Sequence, residues 1–388
     1  MTLIGQSITV LGAGIAGLAV ARALALRGAQ VTVLEQAEAI REVGAGLQVS
    51  PNGAAVLRAL GLGDALDRFG TAAQGVVLRH GLTDRAVLRL DVAGRGFHFL
   101  HRADLVALLA QGAREAGVQI RLLHRIASVD LGGPRPRVAT TTGTQIESDL
   151  LIGADGLQSR LRAALNGPET PGFTGQVAWR ALLPCEPGAA ALAEVHMGPG
   201  RHLVSYPLRG GTLRNIVAVE ERAQWAEESW SVTDDPAHLR AAFAGFSPRV
   251  RGWLDAVSDV HLWGLYRHPV ARHWHGPQAA LLGDAAHPTL PFLAQGANMA
   301  LEDAWVLASA LASHDTPAAA FAAYQQARAA RCTRIVTAAA NSARLYHLHS
   351  PQRQIAHLGL RIGGKIAPHL PLNRFDWLYR HDVTALPV

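Results

Sequence analysis

Three glycines, Gly12, Gly14 and Gly17, lie inside the stretch Val10–Val20, and their flanks restrict the fold more than any other feature of the 388-residue chain. Ser7-Ile8-Thr9-Val10-Leu11 is β-branched and apolar, as in a buried parallel strand. Leu18 to Leu26 is rich in helix formers and stops at Arg27-Gly28. Gln30-Val31-Thr32-Val33-Leu34-Glu35 follows as a second strand that ends in an acid. The whole is a strand–helix–strand unit of about thirty residues, the context in which G-x-G-x-x-G binds a dinucleotide. Gly12 permits the tight turn, Gly14 lets the backbone approach a pyrophosphate, and Gly17 lets the helix pack on the strand. The helix N-terminus then stabilises phosphate charge. Glu35 accepts hydrogen bonds from ribose hydroxyls and would repel a 2′-phosphate. A signal or membrane-span reading of Ile8–Leu26 fails: no basic region precedes it, and Arg22 and the spaced glycines interrupt it. The expectation is a soluble, cytoplasmic protein with no membrane anchor.

Three later segments repeat the logic of a strand followed by a special turn. Glu42 to Gly53 is a glycine-rich loop running into a helix, with Asn52 as its cap. Asp149 to Arg162 is an apolar strand, then Asp155-Gly156, then a helix with two arginines. Ala279 to Pro288 is an apolar strand, then Gly283-Asp284, continuing through Pro291 into a helix opened by Gln295-Gly296. In an open α/β sheet ligands gather at the carboxyl ends of strands, so these turns line one cofactor crevice. Between 171 and 275 the pattern becomes short alternating runs divided by turns such as Arg209-Gly210-Gly211, which predicts an antiparallel sheet. After about residue 300 the chain is helical, and its closing residues, with Pro368, Pro371 and Trp377, read as a loosely structured tail. The fold class is α/β with an α+β insert. Residues 1–170 and 276–345 form a Rossmann-like nucleotide domain with a parallel sheet, 171–275 a substrate domain with an antiparallel sheet, and 346–388 a C-terminal segment.

Composition narrows the function. The formal charge is +6, almost all of it arginine, without a block of like charge, zinc-finger spacing or aromatic–basic stripe. Nucleic-acid binding is therefore not expected. Two cysteines, Cys185 and Cys332, are too few for a disulfide scaffold or a cysteine metal site, and fit a reducing compartment. No metal site is expected.

Read together, GAGIAG with Glu35, ADGLQSRLR, and LLGDAAHPTLPFLAQGANMALEDA, in this order, make the chain similar to the single-component flavoprotein aromatic hydroxylases with the p-hydroxybenzoate hydroxylase fold. It most resembles the branch of salicylate hydroxylase, 3-hydroxybenzoate 6-hydroxylase and 6-hydroxynicotinate 3-monooxygenase, over essentially the whole chain. The resemblance implies FAD in the fingerprint and NADH or NADPH as a transient co-substrate. It implies a small aromatic substrate hydroxylated with O2 through a flavin C4a-hydroperoxide. Asp284 contacts the ribityl chain, Asp155 belongs to the motif shared by FAD and NAD(P)H, and Arg102 touches the flavin side. Ala16, Gly46, Gln48, Gly296, Ala297 and Asn298 complete the implied cofactor set. Gln48 stands where some relatives carry histidine, so FAD is expected to be non-covalent.

Ring attack is faster on a deprotonated phenol, so a base with a pKa near working pH is needed. His202 and Tyr206 are four apart on a predicted strand and face the same side. The resemblance makes His202 the base or orienting donor, with Tyr206 assisting, Gln295 beside the substrate and Pro291 against the flavin ring. Arg180 is the one candidate for a carboxylate clamp. A non-oxygenating reductase or dehydrogenase, a non-catalytic FAD module, and a hydroxylase of quinone-type or larger substrates stay open on the same motifs. A homodimer is the commonest assembly for such an enzyme.

Overall fold

Ser7–Leu11 (β1) pairs in parallel with Gln30–Leu34 (β2) on one side and with Leu150–Gly153 on the other. In the computed structural model, which describes residues 3–40, 45–223, 228, 232–366 and 370–385, these belong to a five-stranded parallel sheet. Its order is Ala279–Leu281, Leu150–Gly153, β1, β2, Gln119–Arg121. The predicted crossover helix is Ile15–Ala25 (α1), and every residue from Ile15 to Leu24 is buried. Apart from Arg22, which donates to the carbonyls of Leu60 and Gly112, it is apolar all round because the helices Arg102–Glu115 and Gly296–Ser313 pack against it. Leu11, Gly153 and Leu281 stand side by side in register. The three special turns therefore leave the sheet at one level, along one edge.

The second sheet has eight strands, in the order Thr233–Asp234, Val260–Arg267, Gly172–Pro184, Leu213–Glu221, Arg201–Leu208, Leu192–Gly198, Gly75–His80, Ala86–Asp91. All neighbours are antiparallel except Leu192–Met197 with Gly75–His80. The sheet of the 171–275 segment thus recruits two strands from residues 75–91. Helices Pro236–Ala242 and Pro248–Asp255 cover one face, where Trp179, Leu203, Phe243 and Trp253 share a core. Alternation sends His202, Val204 and Tyr206 to the other face.

Two expectations about local structure are corrected. Asn52 is not the helix cap: Ser50 occupies that position before Pro51–Ala59, and Asn52 is buried inside the first turn. Glu42, Val43 and Gly44 of the same loop lie outside the described residues. The closing segment is not loose. Helices Gln352–Ile366, Leu370–Asn373 and Asp376–Tyr379 follow the long helix Pro317–Tyr346. Arg331 donates to the carbonyls of Trp377 and Leu378, at 2.7 and 2.8 Å, and Leu378 is fully buried. Proline at this end caps or breaks short helices rather than marking coil; Pro368 itself lies outside the described residues. Among the described residues no helix is long and apolar enough to cross a membrane, and both cysteines are free.

Candidate active site

One cavity of about 1430 Å³ runs from the parallel-sheet turns to the inner face of the large sheet. A site for one small molecule usually occupies ~300–1,000 Å³, so this space is sized for two ligands end to end. Gly14, Ala16, Gly46, Gln48, Arg102, Asp284, Gly296 and Ala297 line one part. His202, Tyr206, Arg180, Pro291 and Gln295 line the rest, with Leu265, Leu290 and Phe292 among the apolar walls. Residues spread across nearly three hundred positions thus meet in one space, as the motif reading requires.

The glycines divide by task. A Cβ on Gly12, whose φ is +94°, would stand 2.5 Å from the carbonyl oxygen of Ala154; one on Gly17 would stand 1.9 Å from that of Gly12. These two are glycine for the protein's own packing. At Gly14 nothing lies within 4 Å of that position, and Gly14 lines the cavity at the N-terminus of α1. An open cradle at a helix N-terminus suits the pyrophosphate of a dinucleotide. Gly46 is fixed by the other ligand region, because a Cβ there would meet Tyr206 Cε2 at 2.6 Å.

Three further residues of the implied cofactor set are tied into the protein. Glu35 accepts from the backbone N–H of Ala13 at 2.7 Å and of Ala37 at 2.9 Å. It braces the glycine turn as well as standing at the end of β2. Asp155 accepts from Ser159 Oγ at 2.5 Å and Arg160 N–H at 2.8 Å, so it caps the following helix. Asn298 is buried and binds the Ser50 N–H and the carbonyls of Gln48 and Ala294. None of the three stands in the cavity wall. Asp284 does, with its side chain open to the cavity; the protein packed around it raises its carboxyl and Arg102 opposes that rise.

Gln295 is buried in the wall, with its amide held by Ser50 Oγ at 3.0 Å and Asn52 Nδ2 at 3.2 Å. Asn52 in turn donates to Glu302 at 2.6 Å, and Glu302 is bridged by Arg328 and Arg331. Asp303 next door binds His287, Arg328 and the Gly283 N–H. Arg162, from ADGLQSRLR, donates to the carbonyls of Ala285, Ala286 and Pro269 and pairs with Glu169. The polar residues of the second and third motifs therefore hold the turns that bear Asp284 and Gln295. Sequence reasoning missed Arg328, whose only local sign was an arginine on an alanine-rich helix.

His202 and Tyr206 face the cavity together, as the spacing implies. The tuning differs from expectation. Burial, then His347 beside it, holds His202 well below the usual imidazole range rather than near working pH. Phe292, Tyr346 and His347 crowd its ring at centroid distances of 5.6, 5.1 and 4.9 Å. Burial pushes the Tyr206 phenol far up, and Phe99 packs on its ring at 5.0 Å. Arg180 stacks over Trp263 at 3.8 Å and its field reaches Tyr206. The pocket therefore offers a neutral imidazole, a neutral phenol and a guanidinium among apolar walls.

The family described as FAD binding domain matches residues 6–339. The chain is 33% identical over 401 residues to a 3-amino-4-hydroxybenzoate 2-monooxygenase of Streptomyces platensis, covering 98% of this chain and 97% of that protein. It is 34% identical over 389 residues to a 3-hydroxybenzoate 6-hydroxylase of Klebsiella oxytoca, covering 95% of each. Klebsiella pneumoniae HpxO, solved complexed with FAD and uric acid, superposes with a TM-score of 0.82 at 26% identity, over 93% of this chain and 94% of that one. With the open cradle at Gly14 and a cavity sized for cofactor and substrate, these likenesses show that the chain belongs to the FAD-binding family and is a flavoprotein monooxygenase.

Proposed function

We propose that the chain hydroxylates a small aromatic acid bearing a ring hydroxyl, with NADH or NADPH as reductant and O2 as oxidant. The observation that carries this reading is the continuity of the cavity from Gly14 and Asp284 to His202, Tyr206 and Arg180. The chemistry supplied by bound, non-covalent FAD is electron transfer from the nicotinamide and activation of oxygen. The side chains bind, orient and handle protons. Arg180 pairs with the substrate carboxylate, a group present in the substrates for which the relatives are named. His202, neutral at working pH, accepts the proton of the ring hydroxyl, and the Tyr206 phenol fixes that oxygen by donating to it. Leu265, Leu290 and Phe292 keep water from the reacting ring. The free thiols support a reducing, cytoplasmic setting.

The test is a panel of hydroxybenzoates, aminohydroxybenzoates and hydroxynicotinates with FAD-loaded protein under ¹⁸O2. One compound should stimulate NADH or NADPH consumption, release little peroxide and gain one labelled oxygen. Peroxide as the sole product across the panel would favour a non-oxygenating flavoprotein. His202→Ala should keep its FAD and lose about tenfold or more of product formation; unchanged turnover would remove His202 from the mechanism.

A further inference from the structure

His202 Nδ1 lies 2.7 Å from His347 Nε2, and His347 Nδ1 lies 2.8 Å from Glu221 Oε1. His202 is 1% exposed and lines the cavity, whereas the Glu221 side chain is 49% exposed. Two hydrogen bonds therefore cross from the cavity wall to solvent. The outer end sets their direction. An ionised carboxylate only accepts, so His347 donates from Nδ1. A neutral imidazole that donates from one nitrogen accepts at the other, so His347 Nε2 receives the Nδ1–H of His202. The network thus fixes both tautomers and leaves His202 Nε2 with its lone pair for a ligand.

The frame around the pair is built, not incidental. His347 caps the C-terminal end of the helix Pro317–Tyr346. Its carbonyl accepts from Gly200 N–H at 3.1 Å, and the Gly200 carbonyl accepts from Glu221 N–H at 2.8 Å. A helix C-terminus also favours a passing positive charge. Phe292, Tyr346 and His347 surround His202, with Met197 and Val219 opposite it on the adjacent strands. Glu221, Arg201 and His349 are the charged and titratable groups acting on His347. Burial lowers both imidazoles, so neither is a resting place for a proton.

We infer that His202, His347 and Glu221 form a proton relay between the ring hydroxyl of the substrate and bulk water. On binding, the substrate O–H proton passes to His202 Nε2. The Nδ1 proton of His202 passes to His347 Nε2, that of His347 Nδ1 passes to Glu221, and Glu221 releases it to water. The reverse sequence returns a proton to the product and restores both tautomers. His347 and Glu221 are positioning and relay groups that act through His202, and the inference rests on the proposed meeting of His202 with the substrate hydroxyl.

The experiment mixes oxidised, FAD-loaded enzyme with a nitro-substituted hydroxybenzoate, whose phenolate absorbs visible light, in weakly buffered pH indicator. Stopped flow then reads ligand ionisation and proton release. The expected result is that His347→Gln and Glu221→Gln slow proton release by about tenfold or more with ligand affinity within about twofold, and that added imidazole restores the rate. Glu221→Gln, at the surface, carries the test where His347→Gln does not fold. Unchanged release in Glu221→Gln and His347→Gln, with loss in His202→Gln, would overturn the relay and leave the base. Slow release in His347→Gln alone would overturn the part of Glu221. No change in any of the three would overturn the relay and the base together.

Discussion

At the scale of single residues, Gly14 and Gly17 separate what the protein needs from what its ligand needs. A methyl at Gly14 meets open space, whereas one at Gly17 meets the Gly12 carbonyl oxygen at 1.9 Å. Gly17→Ala should therefore lower the stability of the FAD-free protein by about 1–3 kcal/mol. Gly14→Ala should leave its melting temperature unchanged and weaken FAD binding by about tenfold, or ~1.4 kcal/mol. Thermal melts and FAD titrations of the two variants check this; equal loss of stability in both would contradict it. These glycines are legible in sequence because their task is local, within one turn. His202 and Tyr206 are legible because a strand has period two. The depressed pKa of His202 is not, since it comes from Phe292, Tyr346 and His347, which stand 90 or more positions away along the chain. Glu35 shows the opposite limit: an acid at a strand end reads as a ribose ligand, and the backbone N–H of Ala13 that it also holds has no signature of its own.

At the scale of elements, the helix Arg160–Asn166 exists to deliver Arg162. Its guanidinium meets three backbone carbonyls of the segments that carry the Asp284 turn, together with Glu169. Arg162→Met should remove about 3 kcal/mol of stability, seen in urea unfolding, and lower FAD retention, because the Gly283–Ala285 turn loses its support. Retention of both would mean that the turn is held by Asp303 alone. The first strand–helix–strand unit and the helix Gly296–Ser313 follow from local periodicity. The recruitment of residues 75–91 into the large sheet does not, because strand pairing is a long-range choice. Nor does the ordered closing segment, whose helices are short and hold through Arg331 and the burial of Leu378 rather than through helix propensity.

At the scale of the whole molecule, a buried charge network joins the helices to the cofactor end of the sheet. Burial would raise Asp303, but the charges of His287 and Arg328 outweigh it and hold its carboxyl at about 2. Burial would lower His287, but Asp303 outweighs that and raises it well above the ordinary range. The Asp303 contribution is present above the unfolded value of roughly 3.9 and is lost as pH falls towards 2. The His287 contribution is present below roughly 6.5 and is lost as pH rises through the elevated folded value. Melting temperature should therefore fall steeply on acidification below about pH 4, and Asp303→Asn, less stable at neutral pH, should show a flatter acid limb. An unchanged acid limb in that variant would place the loss elsewhere. The cavity that this network frames has a thermodynamic consequence of its own. In the function proposed above, cofactor and substrate occupy one undivided space, each forming part of the other's wall. Whatever factor FAD contributes to the affinity of the substrate, the substrate must contribute to the affinity of FAD, because the coupling free energy is a single quantity. Where that factor exceeds one, FAD retention rises with substrate concentration.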